Sequence, residues 1–66
     1  MKLVLNGNNT EFEEVGSISS LLEQLGLRDN EVLVEQNGTA IQRRNFDCQR
    51  VCDGDALEIV RMVAGG

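Results

Sequence analysis

Short apolar segments alternate with glycine-containing turns along this chain of 66 residues. Residues 2–5 predict a first strand. Residues 6–9 contain an Asn-Gly pair and predict a hairpin turn, after which residues 10–14, around Phe12, predict the returning strand. The chain therefore begins with a β-hairpin.

The pattern then changes to a helical period of i, i+3, i+4 and i+7. The apolar positions on this face are Ile18, Leu21, Leu22 and Leu25. Ser17 is placed to cap the amino end, and Gly26 to end the helix in a left-handed conformation. Because Ser20 stands where a capping box has Glu or Gln, the sequence predicts an incomplete box.

The second half of the chain predicts three more strands. Residues 31–35 are rich in Val and Leu and predict a central strand. An Asn-Gly turn leads to a short strand at 39–41. Residues 42–51 predict an irregular segment with a helical turn near 43–46, and residues 56–63 predict the last strand.

The predicted order is β-β-α-β-β-β, an α+β arrangement. The first and last strands pair in the centre of a mixed sheet, and the helix crosses one face. This is a β-grasp architecture. We expect one β-grasp domain at residues 1–63 and a flexible carboxy-terminal tail at residues 64–66.

Composition excludes most catalytic classes. The chain has no His, Trp, Tyr or Pro, so the common general base and the His-dependent nucleophile pairs are missing. Cys48 and Cys52 are too few ligands for a zinc site, and Asp53-Gly54-Asp55 lacks the further oxygen ligands of a calcium loop. We expect neither an enzyme nor a metal site.

Charge and cysteine usage bear on partners and compartment. The net charge is −5, with the excess of acids in residues 1–35, so we expect neither nucleic acid nor membrane as a partner. An acidic face favours a basic protein partner, although solubility alone also explains it. Two cysteines and no long apolar run indicate a reducing cytoplasm.

The sequence ends in Val63-Ala64-Gly65-Gly66. Residues without a Cβ atom can enter a channel too narrow for side chains, so Gly65 and Gly66, preceded by Ala64, suit entry into another protein's active site. The Gly66 carboxylate is then the reactive group. The alternative is a tail without function.

The chain resembles the ThiS-type sulfur carriers of thiamine biosynthesis, within the ubiquitin-like β-grasp carriers. The resemblance covers the full length. It depends on the helix that begins after Ser17, the Asn37-Gly38 hairpin with Ile41, the segment 53–60, and the terminal Gly65-Gly66. Ala64 stands where many members have a third glycine.

The resemblance implies a cycle on the Gly66 carboxylate. A ThiF-type enzyme adenylates it with Mg-ATP, and a cysteine desulfurase supplies persulfide sulfur that converts it to a thiocarboxylate. A ThiG-type thiazole synthase then accepts the sulfur. The chain itself binds no cofactor; ATP and magnesium belong to the activating partner.

Docking needs a surface beside the tail. If Leu57 and Ile59 face the helix, Val60 and Met62 face outward, and we expect these two to form the docking patch. They are equally well explained as ordinary half-buried strand residues.

Other assignments stay open. They are a carrier resembling the small subunit of molybdopterin synthase, a tRNA-thiolation carrier, a ubiquitin-like modifier and, from another class, a β-grasp binding module with an incidental tail. The absence of Pro and the short length favour the thiamine carrier over the molybdopterin subunit.

Overall fold

The computed structural model describes residues 1–62. The last strand ends at Arg61, short of the predicted end at residue 63, because Met62 already lies outside it. Residue 63 and the predicted tail at 64–66 lie outside the described residues. The observed elements are β1 (Lys2–Leu5), β2 (Asn8–Glu11), α1 (Ile18–Gln24), a 3₁₀ turn (Asp29–Glu31), β3 (Val32–Gln36), β4 (Thr39–Ile41), a second 3₁₀ turn (Arg43–Asn45) and β5 (Ala56–Arg61).

The five strands form one mixed sheet in the order β2-β1-β5-β3-β4. β1 and β5 are parallel, while the other three pairings are antiparallel. The predicted central pairing of the first and last strands is therefore confirmed, and so is the predicted order of elements. This placement matters for function because the strand that leads to the tail is the middle strand of the sheet.

The predicted helix is confirmed, but the prediction about its amino end is wrong. Ser17 caps α1, and the Ser20 amide donates to Ser17 Oγ at 3.2 Å. The Ser17 amide donates in return to Ser20 Oγ at 2.8 Å, so the capping box is complete. A serine side chain is shorter than that of Glu, but here its hydroxyl still accepts the hydrogen bond from the N-cap amide that Glu or Gln accepts in the usual capping box.

The helix ends as the sequence predicts. Gly26 has φ +73°, a conformation that glycine adopts without steric cost. Its amide donates to the Glu23 carbonyl at 3.1 Å, and the Leu27 amide donates to the Leu22 carbonyl at 2.9 Å. These two bonds define a Schellman motif.

The prediction for the second strand is wrong in its bounds. Asn6 and Gly7 both have positive φ, at 48° and 82°, as a two-residue type I′ turn requires. Pairing therefore begins at once, with Leu5 opposite Asn8, and the strand ends at Glu11. Phe12, which the sequence places in the strand, lies just beyond it.

One core joins the helix to the inner face of the sheet. Its buried members are Leu3, Val15, Ile18, Leu21, Leu22, Val32, Val34, Phe46, Val51, Leu57 and Ile59. β3 and β5 alternate between buried and exposed residues, so each has an inner and an outer face. The helix covers the inner face and leaves the outer face of the sheet open.

None of the helices in residues 1–62 combines the length and the apolar character that crossing a membrane requires.

Candidate functional site

β5 is held in register by two asparagines, one on each side. Asn6 accepts a hydrogen bond from the Ile59 amide at 2.8 Å and donates to the Ile59 carbonyl at 3.2 Å. Asn37 Oδ1 accepts a hydrogen bond from the Ala56 amide at 2.9 Å, and the Asn37 backbone amide donates to the Ala56 carbonyl at 2.7 Å. Both asparagines come from hairpin turns, so each turn also fixes the strand that leads to the tail.

A network centred on Asp55 secures the start of the same strand. Its carboxylate accepts hydrogen bonds from Gln36 Nε2 at 2.8 Å, Asn37 Nδ2 at 3.0 Å and the Cys52 amide at 2.8 Å. Burial alone raises the pKa of this carboxyl, but the three hydrogen bonds outweigh it and hold the pKa below its ordinary value of 3.8. Asp55 therefore stabilises the fold as an anion.

This lowered pKa makes a testable prediction for Asp55→Asn. An amide cannot accept all three hydrogen bonds, so the variant is less stable than wild type at neutral pH, by about 1–3 kcal/mol. The stabilisation by Asp55 is full above pH 3.8 and is lost as pH falls through the lower pKa of the folded state. In urea titrations, the difference between the two proteins is therefore constant near neutrality and shrinks below pH 3.8.

Asp29→Asn, at an exposed aspartate, is the control for loss of one charge. A stability difference for Asp55→Asn that stays constant down to acid pH would contradict the proposed role of its anion.

Three large apolar side chains are exposed in the described part of the chain, and they are close to the end of β5. Leu33 is 59% exposed, Val60 58% and Met62 44%. Leu33 stands directly opposite Val60 on the outer face of the sheet, and the Met62 amide donates to the Glu31 carbonyl at 2.7 Å, which holds this residue beside the start of β3. We call these three residues the apolar patch.

An open groove of about 470 Å³ continues the apolar patch around the side of the sheet. Leu33, Ile41 and Met62 contribute apolar surface to its lining, and the buried Phe46 also borders it. Asp29 and Arg43 add one charge of each sign. Leu33 and Met62 thus belong both to the apolar patch and to the lining of this groove, close to the end of β5.

The structure confirms the predicted outward orientation of Val60 and Met62, because Leu57 and Ile59 are buried. The docking role of these two residues stays a prediction. Leu33 was missed. The sequence nevertheless indicates that Leu33 is exposed. Leu33 alternates with Val32 and Val34 along β3, and only one face of the sheet can be buried when a single helix covers it.

The cysteines, the last turn and the tail residues were also candidates from the sequence. Cys48 and Cys52 are exposed free thiols. Asp53 accepts a hydrogen bond from the Lys2 amide at 2.6 Å, which fastens the turn before β5 to β1. Within residues 1–62, no three His, Cys, Asp or Glu side chains are grouped closely enough to hold a metal ion. Ala64, Gly65 and Gly66 lie outside the described residues.

Comparison with known proteins decides the family. Residues 3–66 match the ThiS family. The chain belongs to the ThiS family. The sulfur carrier protein ThiS of Bacillus subtilis is 35% identical over 65 residues, which are 97% of this chain and 98% of that protein. The crystal structure of the thiamine biosynthesis protein ThiS from Geobacter metallireducens has a TM-score of 0.84 and 35% identity, with full coverage of both chains.

A longer relative differs in architecture. A thiazole synthase of Paramagnetospirillum magneticum is 38% identical over all 66 residues, but this chain spans only 20% of its length. The similarities confirm the predicted ThiS resemblance and the ubiquitin-like β-grasp fold. They also confirm the predicted class of function, a sulfur carrier protein of thiamine biosynthesis and not a catalyst.

Proposed function

We propose that this ThiS family member carries sulfur as a thiocarboxylate on Gly66 and donates it to a thiazole synthase. The observation that carries the proposal is the nearly full-length match to a sulfur carrier protein, joined in this sequence to a Gly65-Gly66 end. The described fold supports it, since β5, the middle strand of the sheet, precedes this end in the sequence and exposed apolar residues lie near the end of β5.

The chemistry requires activation because a carboxylate oxygen is a poor leaving group. A ThiF-type enzyme joins the Gly66 carboxylate to AMP from Mg-ATP, with release of pyrophosphate. The terminal sulfur of a persulfide, supplied through a cysteine desulfurase, attacks the acyl carbon and displaces AMP. A thiol then reduces the S–S bond with two electrons and leaves the thiocarboxylate. The electrostatic stabilisation of these steps belongs to the partner enzymes.

The partner that accepts the sulfur is supported by two relatives. Thiazole synthases of Paramagnetospirillum magneticum and Magnetococcus marinus are 38% and 30% identical to this chain over one fifth of their length. A segment similar to this chain thus occurs within thiazole synthases, which supports a ThiG-type acceptor. We further propose the cytoplasm as the compartment, which agrees with two exposed free thiols.

The test is intact mass spectrometry. The protein is incubated with ATP, magnesium, a ThiF-type enzyme and a persulfide donor, and we expect a mass increase that corresponds to exchange of one oxygen for sulfur. Addition of thiazole synthase and its substrates should return the original mass. The Bacillus subtilis carrier serves as the positive control. If that carrier gains sulfur and this chain does not, the proposed function is wrong.

The apolar patch makes a second prediction. Leu33→Asp and Met62→Asp each place a charge on a surface that the partner must desolvate, so each should weaken binding to the ThiF-type enzyme at least about tenfold. Adenylate formation at limiting enzyme should slow in proportion. Both positions are exposed, so the fold should be unchanged by circular dichroism.

Asn9→Asp is the matched control because Asn9 is exposed on the edge strand β2, which β1 separates from β5 and the apolar patch. Equal slowing by this variant, or wild-type binding by Leu33→Asp, would remove the apolar patch from the proposal.

A further inference from the structure

The outer face of the sheet carries two neighbouring cross-strand pairs of different character. Leu33 stands opposite Val60, and two residues along, Glu35 stands opposite Glu58. All four are exposed. The sheet therefore presents an apolar pair and, about 7 Å away along the strands, a pair of carboxylates.

The carboxylate pair is unfavourable in the isolated protein. Residues directly opposite in an antiparallel pair have Cβ atoms about 4.5–5.5 Å apart, and like charges at this distance destabilise the sheet. The unfavourable pair lies in the interior of the sheet, since β3 has β4 and β5 on its two sides and β5 is the middle strand. Protection of a sheet edge, the usual reason for charges on strands, therefore does not explain it.

Solubility does not explain the pairing either. One carboxylate beside the apolar patch, or two out of register, would keep it soluble without the repulsion. On its other side, Glu35 stands opposite Ala40 on β4, and Lys2 on β1 stands opposite Glu11 on β2. By register, Glu35 and Glu58 therefore stand opposite each other, and no cation stands opposite either of them.

We propose that the apolar patch and the Glu35–Glu58 pair form one docking surface for a partner protein that supplies an arginine. The inference rests on the proposed function, in which the partner is an enzyme that must dock beside the tail. The planar guanidinium of an arginine has five donors and can bond to two carboxylates at once. Apolar side chains around that arginine cover Leu33, Val60 and Met62.

Charge argues against a second copy of this chain as the occupant. Two such faces in contact would bring together four carboxylates from chains that each carry a net charge of −5. A basic partner instead removes the repulsion that each free chain contains. Binding is therefore stabilised by relief of an unfavourable contact as well as by the new ion pairs.

The test compares two double variants that each lose two negative charges. Glu35→Gln with Glu58→Gln removes the pair, and Glu13→Gln with Glu14→Gln removes two exposed acids from the segment before α1. Affinity for the ThiF-type enzyme is measured by calorimetry at about 50 mM and about 300 mM salt. We expect the first variant to bind at least about tenfold more weakly at low salt, with a smaller salt dependence, and the second to differ less than about threefold.

Stability of the isolated chain is the second measurement. Removal of the repulsion should leave the midpoint of thermal unfolding unchanged or raise it, so a loss of affinity without a loss of stability separates docking from folding. Lower stability of the Glu35→Gln, Glu58→Gln variant would assign the pair a structural role and overturn the inference. Equal weakening by both double variants would overturn it in favour of general attraction.

The remaining outcomes are also decisive. If wild type binds and is adenylated while the Glu35→Gln, Glu58→Gln variant binds equally well, the inference is wrong and the proposed function stands. If the wild-type chain neither binds the ThiF-type enzyme nor is adenylated by it, both the inference and the proposed function are wrong. Dimers of the wild-type chain that Leu33→Asp disrupts would show that the occupant is a second copy.

Discussion

Deletion of Gly66 is expected to abolish thiocarboxylate formation while the fold stays intact. The shortened chain still ends in a carboxylate, on Gly65, but the reactive group is displaced by one residue, or about 3.3–3.6 Å. An error of about 1 Å in the position of a reacting group costs about 100-fold in rate. The loss should therefore be complete on the timescale in which wild type reacts fully.

Gly65→Val tests the same idea with the length unchanged. Its Cβ and methyl groups should prevent entry into a narrow channel, with a loss at least as large as about 100-fold. Ala64→Gly is the control and should react like wild type. Intact mass reports the product, and thermal unfolding reports the fold. Reaction of the Gly66-deleted chain at the wild-type rate would show that sulfur is carried elsewhere.

The elements that the sequence predicts well are those set by local interactions. The helix is predicted almost to the residue because its apolar period, its Ser17 cap and the positive φ of Gly26 all lie within ten neighbouring positions. The strand β2 was harder to predict. The apolar Phe12 indicates a strand centred on residue 12. The turn at Asn6, however, makes the pairing begin at Asn8, two residues before the predicted start.

The residues of the candidate site are only partly predictable from the sequence. The exposure of Val60 is predictable because alternation along β5 decides its face, and Met62, one residue beyond the strand, is exposed as the same alternation predicts. The residue opposite Val60 is not predictable in this way, because only the register between β3 and β5 brings Leu33 opposite it. The Glu35–Glu58 pair has the same origin. Contacts across the sheet depend on long-range register, which a pattern along the chain does not contain.

The Asn37–Asp55 contact belongs to the same class. Asn37 is predictable as a turn residue, but its bond to the Asp55 carboxylate depends on where the last turn meets the hairpin. Sequence therefore predicts the architecture and the end that we propose carries the sulfur. The proposed docking surface can be recognised only in the folded sheet.

The largest effect on stability is expected for Phe46→Ala. Phe46 is 2% exposed and belongs to the core, although it lies in the irregular segment between β4 and β5. Its carbonyl also accepts a hydrogen bond from the Ser19 amide at 3.1 Å, so the segment is fastened to the first turn of α1. Truncation of a buried Phe costs about 3–5 kcal/mol.

That cost is large for a domain of this size, whose whole free energy of unfolding is about 3–10 kcal/mol by the usual value per residue. Phe12→Ala is the matched control, since Phe12 is the other phenylalanine of the chain and is only half-buried. Urea titrations should show a much larger loss for Phe46→Ala, with a substantial unfolded population before urea is added. A loss for Phe46→Ala no larger than that for Phe12→Ala would mean that the segment between β4 and β5 lies on the core without stabilising it. The position of β5 would then depend on its strand pairing and the two asparagines alone.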